Sequence, residues 1–545
     1  MICKTCFSTN RIRGRSFWKM RSKTFYNGAH ITAILCAVSL LLFIVACSAE
    51  PDAPSSDSTS DSTLKTASTD AVSYSDQTTT FQRQELTSLN TTTTATRSSG
   101  TAATRPTDSL NTGGDEGGMP SANLKGYTFT IADCTRYGDY SIPEAGTSSQ
   151  ADGWWKMIDE IQDKLNCKIK YEFYDPTSSA QTITTKLLGG AKVADILVAP
   201  QFSIGSYITA GFLQDLNKVP NLNLKANYWY RSIIDSCTIS GKTYAIAGDY
   251  NNYAGKLCGF YYNKRLIKEL GLTDPYELVK QNKWDFATFR SMALAATKDL
   301  NDDGKMTAKD QYGIVGTWIY DQLYAANGCR KLSTDKKGRV AVSLTSAKSV
   351  ETLNWIHDLM YKDRVIMDLG VTVNNMSDVN IWIKYFNQFT DGKALFLGCP
   401  VMDMMYSREI EDDFGFVVCP KGPNANSYSS FIEVNANMIG VFTTNKDLEK
   451  TGTVLEAIGY LGHYLSDAYV SDDVYLTLFR GDDHSLEMLK LALNNVVFDI
   501  GEFEAVDGLI HDFREVLRTA NVDIQAKLSA KSGSWTAEVN KIFNK

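Results

Sequence analysis

Four consecutive apolar residues, Ile196-Leu197-Val198-Ala199, leave the chain little choice of architecture around them. A strand that is apolar on every residue has no face for water, so it belongs inside a parallel sheet covered on both sides. The residues before it agree. Tyr127-Thr128-Phe129-Thr130-Ile131 alternates with the period of a strand, and Trp154, Ile158, Ile161 and Leu165 mark an amphipathic helix. Ile169 to Phe173 reads as a second strand and Ile183, Leu187 and Leu188 as a second helix. The order is βαβαβ, and open sheets of this kind place ligands at the carboxyl ends of their strands.

A second series follows the hairpin-like turn Gly241-Lys242-Thr243-Tyr244. Strands are predicted at Leu257 to Tyr262, Ala394 to Leu397, Phe414 to Val418 and Met438 to Phe442, with helices at Lys264 to Leu270, Phe286 to Ala296 and Ala347 to Tyr361. From Leu448 onward the pattern is almost wholly helical. The folded part, 124–545, holds roughly 420 residues, more than one core usually accommodates, so two α/β lobes are expected.

The first 46 residues predict export. Arg11, Arg13, Arg15, Lys19, Arg21 and Lys23 precede the apolar run Ile31 to Ala46, too short for a comfortable bilayer span and ample for a signal peptide. Its end, Ile44-Val45-Ala46-Cys47, resembles the lipobox of bacterial lipoproteins, which implies a lipid on Cys47 and anchoring at the outer face of the cell membrane. Residues 47–123 change composition abruptly. About two residues in five are Ser or Thr, with the run Thr91 to Thr94, so this segment is expected to be a disordered tether.

Charge excludes one class of partner. Fifty-five Lys and Arg against 62 Asp and Glu give a net charge of -7, without a basic stretch in the folded part, so nucleic acid is not expected. Beyond Cys47 the cysteines Cys134, Cys167, Cys237, Cys258, Cys329, Cys399 and Cys419 are odd in number and sit mostly in apolar runs, which reads as core thiols. The five histidines do not approach metal-ligand spacing, and no Gly-x-Ser-x-Gly elbow offers a nucleophile. Glu411-Asp412-Asp413 reads as a solvated turn.

The sharpest local motif is Asp299-x-Asn301-x-Asp303-Gly304, continued by Lys305, Thr307 and Asp310. Oxygen ligands at loop positions 1, 3, 5, 9 and 12, a glycine at 6 and the Lys305 carbonyl at 7 match a Ca²⁺ loop of the EF-hand type. A structural Ca²⁺ is therefore expected, against the plainer reading of an Asp- and Asn-rich turn.

The order of landmarks carries a wider resemblance. Ala194-Asp195-Ile196-Leu197-Val198, Gly211-Phe212-Leu213-Gln214-Asp215-Leu216, Gly241-Lys242-Thr243-Tyr244-Ala245-Ile246 and Phe260-Tyr261-Tyr262-Asn263-Lys264 resemble the first half of extracellular solute-binding proteins of ABC importers. Gly392-Lys393-Ala394-Leu395-Phe396 and Asp413-Phe414-Gly415-Phe416-Val417-Val418 resemble the second half. Where a Gly-x-Trp is often found, this chain has Gly398-Cys399-Pro400, so one stacking ring is missing. The resemblance implies a type II clamshell: two lobes joined by crossovers, closing on a solute and delivering it to a permease as a monomer. Crossovers are expected near Ala247 to Cys258, Leu397 to Pro400 and Val434 to Gly440. The first lobe would take about 124–248 and 400–440, the second 249–399 and 441–545.

Within that frame the residues after each strand are the ligand candidates: Gln201 and Phe202, then Asp249, Tyr250 and Asn252, then Trp318 and Tyr320, with Glu433 near a crossover. Trp382, Tyr385 and Asn435 rank second. Rings interleaved with short polar groups suit a neutral carbohydrate, and no arginine cluster is visible near these positions. The expected function is solute capture without turnover. A tethered polysaccharide-active enzyme is the alternative.

Overall fold

The computed structural model describes residues 115–135, 144–176, 178–251, 253–367 and 379–544. The signal segment, Cys47, most of the tether and Asn252 lie outside them.

The elements that position the site begin with β1 (Tyr127–Asp133), α1 (Ser149–Leu165), β2 (Cys167–Phe173), α2 (Ser179–Leu188), β3 (Ile196–Pro200) and α3 (Gln201–Thr209). There follow β4 (Cys258–Asn263), β5 (Tyr312–Gly316), α4 (Ile319–Ala326), β6 (Ala394–Pro400) and β7 (Phe414–Val417). The last four are β8 (Asn437–Val441), α5 (Leu448–Leu461), the ten-residue π-helical stretch Tyr469–Leu478 and α6 (Leu509–Arg518).

Local chemistry explains the first lobe's entry. Ser148 caps α1 by accepting from Ala151 N, Asp152 lies in the first turn, Lys164 in the last, and Asn166 closes the helix in the left-handed region. Met157, Ile158, Ile161 and Leu165 form its buried stripe, and β3 is buried along its whole length. The first sheet has the order β8-β3-β1-β2. Strands β1, β2 and β3 are parallel, with Phe129 opposite Ile169 and Ile131 opposite Ile196, whereas β8 runs antiparallel to β3. Each core side chain such as Ile131 or Ile161 contributes about 1.5–3 kcal/mol of transfer free energy.

The second sheet has the order β7-β4-β6-β5. Strand β4 is antiparallel to both neighbours, while β6 and β5 are parallel. Two crossovers run side by side between the sheets, Ile246 pairing with Ile439 and Leu257 with Ile432. They match the expected crossings at Ala247 to Cys258 and Val434 to Gly440.

The lobe boundaries differ from the sequence expectation in two places. Strand β7 lies in the 400–440 segment assigned to the first lobe, yet Phe416 pairs with Tyr261 in the second sheet. Helix α5, assigned to the second lobe, packs Val454, Leu455, Ile458 and Leu461 into the core that holds Phe129 and Ile131 of the first. Consequently Leu397 to Pro400 is a strand end within the second lobe. The third crossing falls later, where the chain leaves the Leu465 region, passes through Tyr469–Leu478 and packs the helix Asp483–Leu493 on β7. Strand periodicity names the element and not the sheet it joins, which is why the sequence assignment slipped. All seven described cysteines are free and buried, as expected of core thiols.

Candidate functional site

The carboxyl ends of the strands meet at the crossovers. Strand β3 ends at Pro200, and Gln201 opens α3 with its amide buried, Nε2 donating to the carbonyls of Glu433 at 2.7 Å and Ile432 at 3.3 Å. Glu433 in turn holds Lys256, Oε1 to Nζ 3.0 Å. Burial pulls the Lys256 ammonium down and the Glu433 charge more than offsets it, so the group ends above its ordinary value. Asp403, on the turn Val401–Ser407 after β6, accepts no hydrogen bond among the described residues. Burial, then the Glu433 charge, pushes its carboxyl up to about 7 against the pull of Lys256. Together these four residues make a polar floor: Gln201 ties the crossover in place, Lys256 neutralises Glu433, and Asp403 keeps acceptor oxygens for something else.

The second lobe's wall is built after β5. Gly316 has φ +133, and a Cβ there would stand 2.0 Å from the Gly398 carbonyl, so the close approach of β5 and β6 needs glycine. Two residues on, Trp318 takes φ 57 and ψ 15 at the start of α4. Left-handed backbone at a bulky residue costs on the order of 1–3 kcal/mol and marks positions the surroundings over-determine. The half-buried indole packs against the cluster of Cys258, Ala325, Phe431 and Val497, on which Val434 also packs, joining wall to floor. Tyr320 lies on the first turn of α4, half-buried.

Two arginines not anticipated from the sequence stand against this wall. Arg514 places its guanidinium carbon 5.6 Å from the centroid of the Trp318 ring. Arg518, one turn along α6, is pulled down by burial and then by the Arg514 charge, with Glu515 and Tyr320 acting the other way. The absence of an arginine cluster expected from the sequence is thereby corrected. No signal along the chain joins α6 to the turn after β5.

The first lobe's wall is of another kind. Asp249 is buried and accepts from Tyr230 Oη at 3.4 Å. Tyr250 is buried in the lobe core, its ring 6.1 Å from that of Trp154. Trp154 continues into Tyr171 at 5.0 Å, and Tyr171 stacks on Phe173 at 5.8 Å. Phe202 is half-buried on the first turn of α3. The structure thus brings Gln201 and Glu433 together and sets Trp318 and Tyr320 on one wall, with Asp249 and Tyr250 packed into the other lobe. Among second-rank residues, Trp382 packs edge-on against Tyr406 at 4.7 Å. Asn435 is half-buried beside the floor. The lobes also touch directly: a Cβ on Gly205 of α3 would stand 2.5 Å from the Phe503 carbonyl, in the turn Ile500–Phe503 that precedes α6.

The Asp299 loop lies apart from all of this. Asp299 accepts from Asn301 N and Gly304 N, Asp303 from Lys305 N, and the buried Asp310 from Leu300 N and from Thr307 N and Oγ1. Among the described residues no three His, Cys, Asp or Glu side chains gather as a ready metal cage. A cavity of about 780 Å³ opens elsewhere, between the 222–225 turn and the hairpin tip at Asp335 to Gly338. It holds none of the candidate residues, and three of its charged groups are already engaged, Arg231 and Asp235 with each other and Asp335 with Arg339. Asp412, part of the acidic run expected to be a solvated turn, is half-buried and receives Arg265 and Asn263.

Comparison with known proteins follows the fold. The UspC protein of M. tuberculosis has a TM-score of 0.51 at 16% identity, over 75% of this chain and 100% of its own. The cyclic α-maltosyl-1,6-maltose binding protein of Arthrobacter globiformis has a TM-score of 0.52 at 13% identity, over 76% and 100%. A cyclo/maltodextrin-binding protein complexed with maltotetraose has a TM-score of 0.50 at 15% identity, over 77% and 97%. At these identities the likeness establishes the bilobed fold. No curated protein matches the chain in sequence. The family model for bacterial extracellular solute-binding proteins matches residues 147–469, from α1 through both sheets to the third crossing, and the chain belongs to that family.

Proposed function

We propose that this chain is a saccharide receptor, anchored outside the cell through a lipid on Cys47, that hands its solute to an ABC-type permease and acts as a monomer. The observation that carries the reading is the wall-and-floor pairing: Trp318, held in a left-handed conformation beside Tyr320, packs against the cluster that holds Cys258, and the Asp403 whose charge reaches that same Cys258 accepts no hydrogen bond among the described residues. A sugar presents an apolar ring face and a rim of hydroxyls, and a flat ring beside a carboxylate acceptor meets both. The names of two fold relatives, a binder of cyclic α-maltosyl-1,6-maltose and a cyclo/maltodextrin-binding protein, support the same class. No helix among the described residues is long and apolar enough to cross a membrane. Binding to the surface is accordingly assigned to Cys47 and the tether, and Cys47→Ser should release the protein from membranes. A Ca²⁺ in the Asp299 to Asp310 loop belongs to this proposal as a structural ion.

One observation favours a second reading. Asp403, pushed up to about 7 by burial and then by the Glu433 charge, is a raised carboxyl beside a second carboxyl, an arrangement also used by enzymes acting on polysaccharide. The Lys256 ammonium on Glu433 argues against it, since it occupies the oxygen a base needs. Calorimetry of the folded chain against oligosaccharides, with reducing ends assayed in the same samples, decides. Saturable binding with the sugar recovered intact supports the receptor; new reducing ends support the enzyme; neither outcome rejects both.

A further inference from the structure

Arg514 and Arg518 are unusual for half-buried arginines. Five N–H donors each, fixed in a planar fork, normally find carboxylates or carbonyls when a guanidinium leaves bulk water. Here neither side chain makes a hydrogen bond or an ion pair among the described residues, and Arg518 Nε is a buried donor with no partner. They lie one turn apart on α6, so the two positive charges also repel. Burial, and after it the neighbouring Arg514 charge, pull the Arg518 guanidinium down to about 10.

The acids nearby, Glu515 toward Arg518 and Glu502 and Glu504 toward Arg514, act through space and give neither guanidinium a hydrogen bond. Glu515 gives an oxygen to Lys527 at 3.3 Å. Glu502 is locked under α6 with Lys331. Glu504, just ahead of α6, influences Arg514 only through space. What the two guanidinia do face is the ligand wall, Arg514 lying over the Trp318 ring and Arg518 within electrostatic reach of Tyr320. The indole thus carries a cation beside it, and the forked donors and the exposed part of the ring can act on one bound molecule.

We propose that the solute is an anionic saccharide, whose carboxylate or sulfate is received by Arg514 and Arg518 while a sugar ring lies against Trp318. This rests on the saccharide reading of the same site and narrows it. The geometry fits. A carboxylate takes two parallel N–H bonds from one guanidinium, and a second guanidinium one turn away supplies further donors and charge. A binder of neutral sugars gains nothing from two desolvated cations at its wall, whereas an acidic sugar removes both the repulsion and the orphaned donor at Arg518.

The test is isothermal calorimetry on the folded chain with four probes: trigalacturonate, its methyl ester with the same rings and no charge, a sulfated chondroitin disaccharide, and maltotetraose. The expected result is binding of trigalacturonate or the sulfated disaccharide, the stronger of the two identifying the acid group. Loss of a charged hydrogen-bonded contact should weaken the acidic probe about ten- to a hundredfold in Arg514→Gln and Arg518→Gln. Arg514→Lys should recover part of the loss, since it keeps charge and gives up the fork. Affinity of the wild type should also fall with added salt. If the glutamine variants melt early, esterification and salt titration on the wild type carry the decision without them. Maltotetraose or the methyl ester binding as tightly as the acidic probes, with no response to salt, overturns the proposal and leaves the saccharide reading intact. Failure of all four probes to bind rejects the saccharide reading and this proposal with it.

Discussion

The two lobes offer the crossover floor walls of opposite character. On the first, Trp154, Tyr171 and Phe173 pack ring to ring, Tyr250 is sunk into the core, and Asp249 is held by Tyr230. On the second, a tryptophan is held in strained backbone, and among the described residues two arginine side chains lack hydrogen-bond partners and Asp403 has oxygens to spare. Ring-to-ring packing makes a rigid surface; polar groups held without protein partners make a specific one, because each must be met by a ligand group. On the proposed function, the contrast places choice of solute mainly in the second lobe and the floor, with the first lobe meeting the second through α3.

The contrast extends to the buried charges beneath each wall, where the largest effect is expected. In the second lobe Lys331 Nζ sits 3.1 Å from Asp321 and 3.9 Å from Asp499, in contact with Glu502 and nearly inaccessible to solvent. Burial works against its charge, and the three carboxylates keep it protonated. Replacing it by methionine strands acids in the interior, so Lys331→Met should cost about 3–5 kcal/mol of folding free energy. In the first lobe Glu456 is held by Tyr228 Oη and Asn223 N with no ion pair among the described residues, so Glu456→Gln should cost about 1–3 kcal/mol. Urea unfolding of both variants reads the difference. Equal losses would break the contrast.

Next in size is the metal loop, also in the second lobe. Ca²⁺ at about a hundredfold above its dissociation constant would contribute about 2.7 kcal/mol. Chelator should lower the melting temperature of the wild type and leave Asp303→Ala unmoved. Identical melting curves after demonstrated metal removal would assign Asp299 to Asp310 to the turn that its own hydrogen bonds already build.

How far the sequence showed all this depends on what kind of contact is asked about. The stripe Ile158, Ile161, Leu165 and the apolar β3 are local patterns, and both elements stand where those patterns put them. Gln201 and Glu433 were legible as strand-end and crossover residues, and they meet. Strand β7 and helix α5 were legible as elements but not as members of a lobe, because pairing partners lie far along the chain. Asp403 lies three residues past the observed end of β6 but six past Leu397, where the sequence pattern ends the strand, so the rule that identified Gln201 did not reach it. Arg514 and Arg518 were out of reach as well: they lie on an ordinary amphipathic helix, and only the tertiary fold carries them to Trp318.

The walls can be compared directly by truncation. Trp318→Ala removes a ring that joins wall to floor, and should weaken saccharide binding by about 1–3 kcal/mol, ten- to a hundredfold or more, without unfolding the lobe. Tyr250→Ala empties a core site, so its loss should appear in thermal stability rather than in the affinity of the protein that remains folded. Calorimetry and melting on both variants separate the cases. If Tyr250→Ala binds more weakly than Trp318→Ala at unchanged stability, recognition belongs to the first lobe.

The smallest effect concerns Asp403, and its sign follows from its carboxyl being raised to about 7. Between about pH 4 and pH 7 the folded state holds a proton that the unfolded chain has released, so this group makes stability fall as pH rises through that window. Above pH 7 the loss is complete. Glu433 and Lys256 face the carboxyl directly, and its charge is also felt by Tyr406, Tyr469 and the buried thiols Cys258 and Cys399. Glu456 and Glu502 are raised by burial as well and tilt the curve the same way, so the readout is the difference between wild type and Asp403→Asn. The melting temperature of the asparagine variant should decline less between pH 5 and pH 7. A sugar hydroxyl donating to Asp403 favours the ionised form, so binding near pH 6 should release a proton, seen as a calorimetric heat that varies with the buffer's ionisation enthalpy. Asparagine cannot release that proton. A buffer-dependent heat that survives in Asp403→Asn would move the acceptor of the site away from the floor.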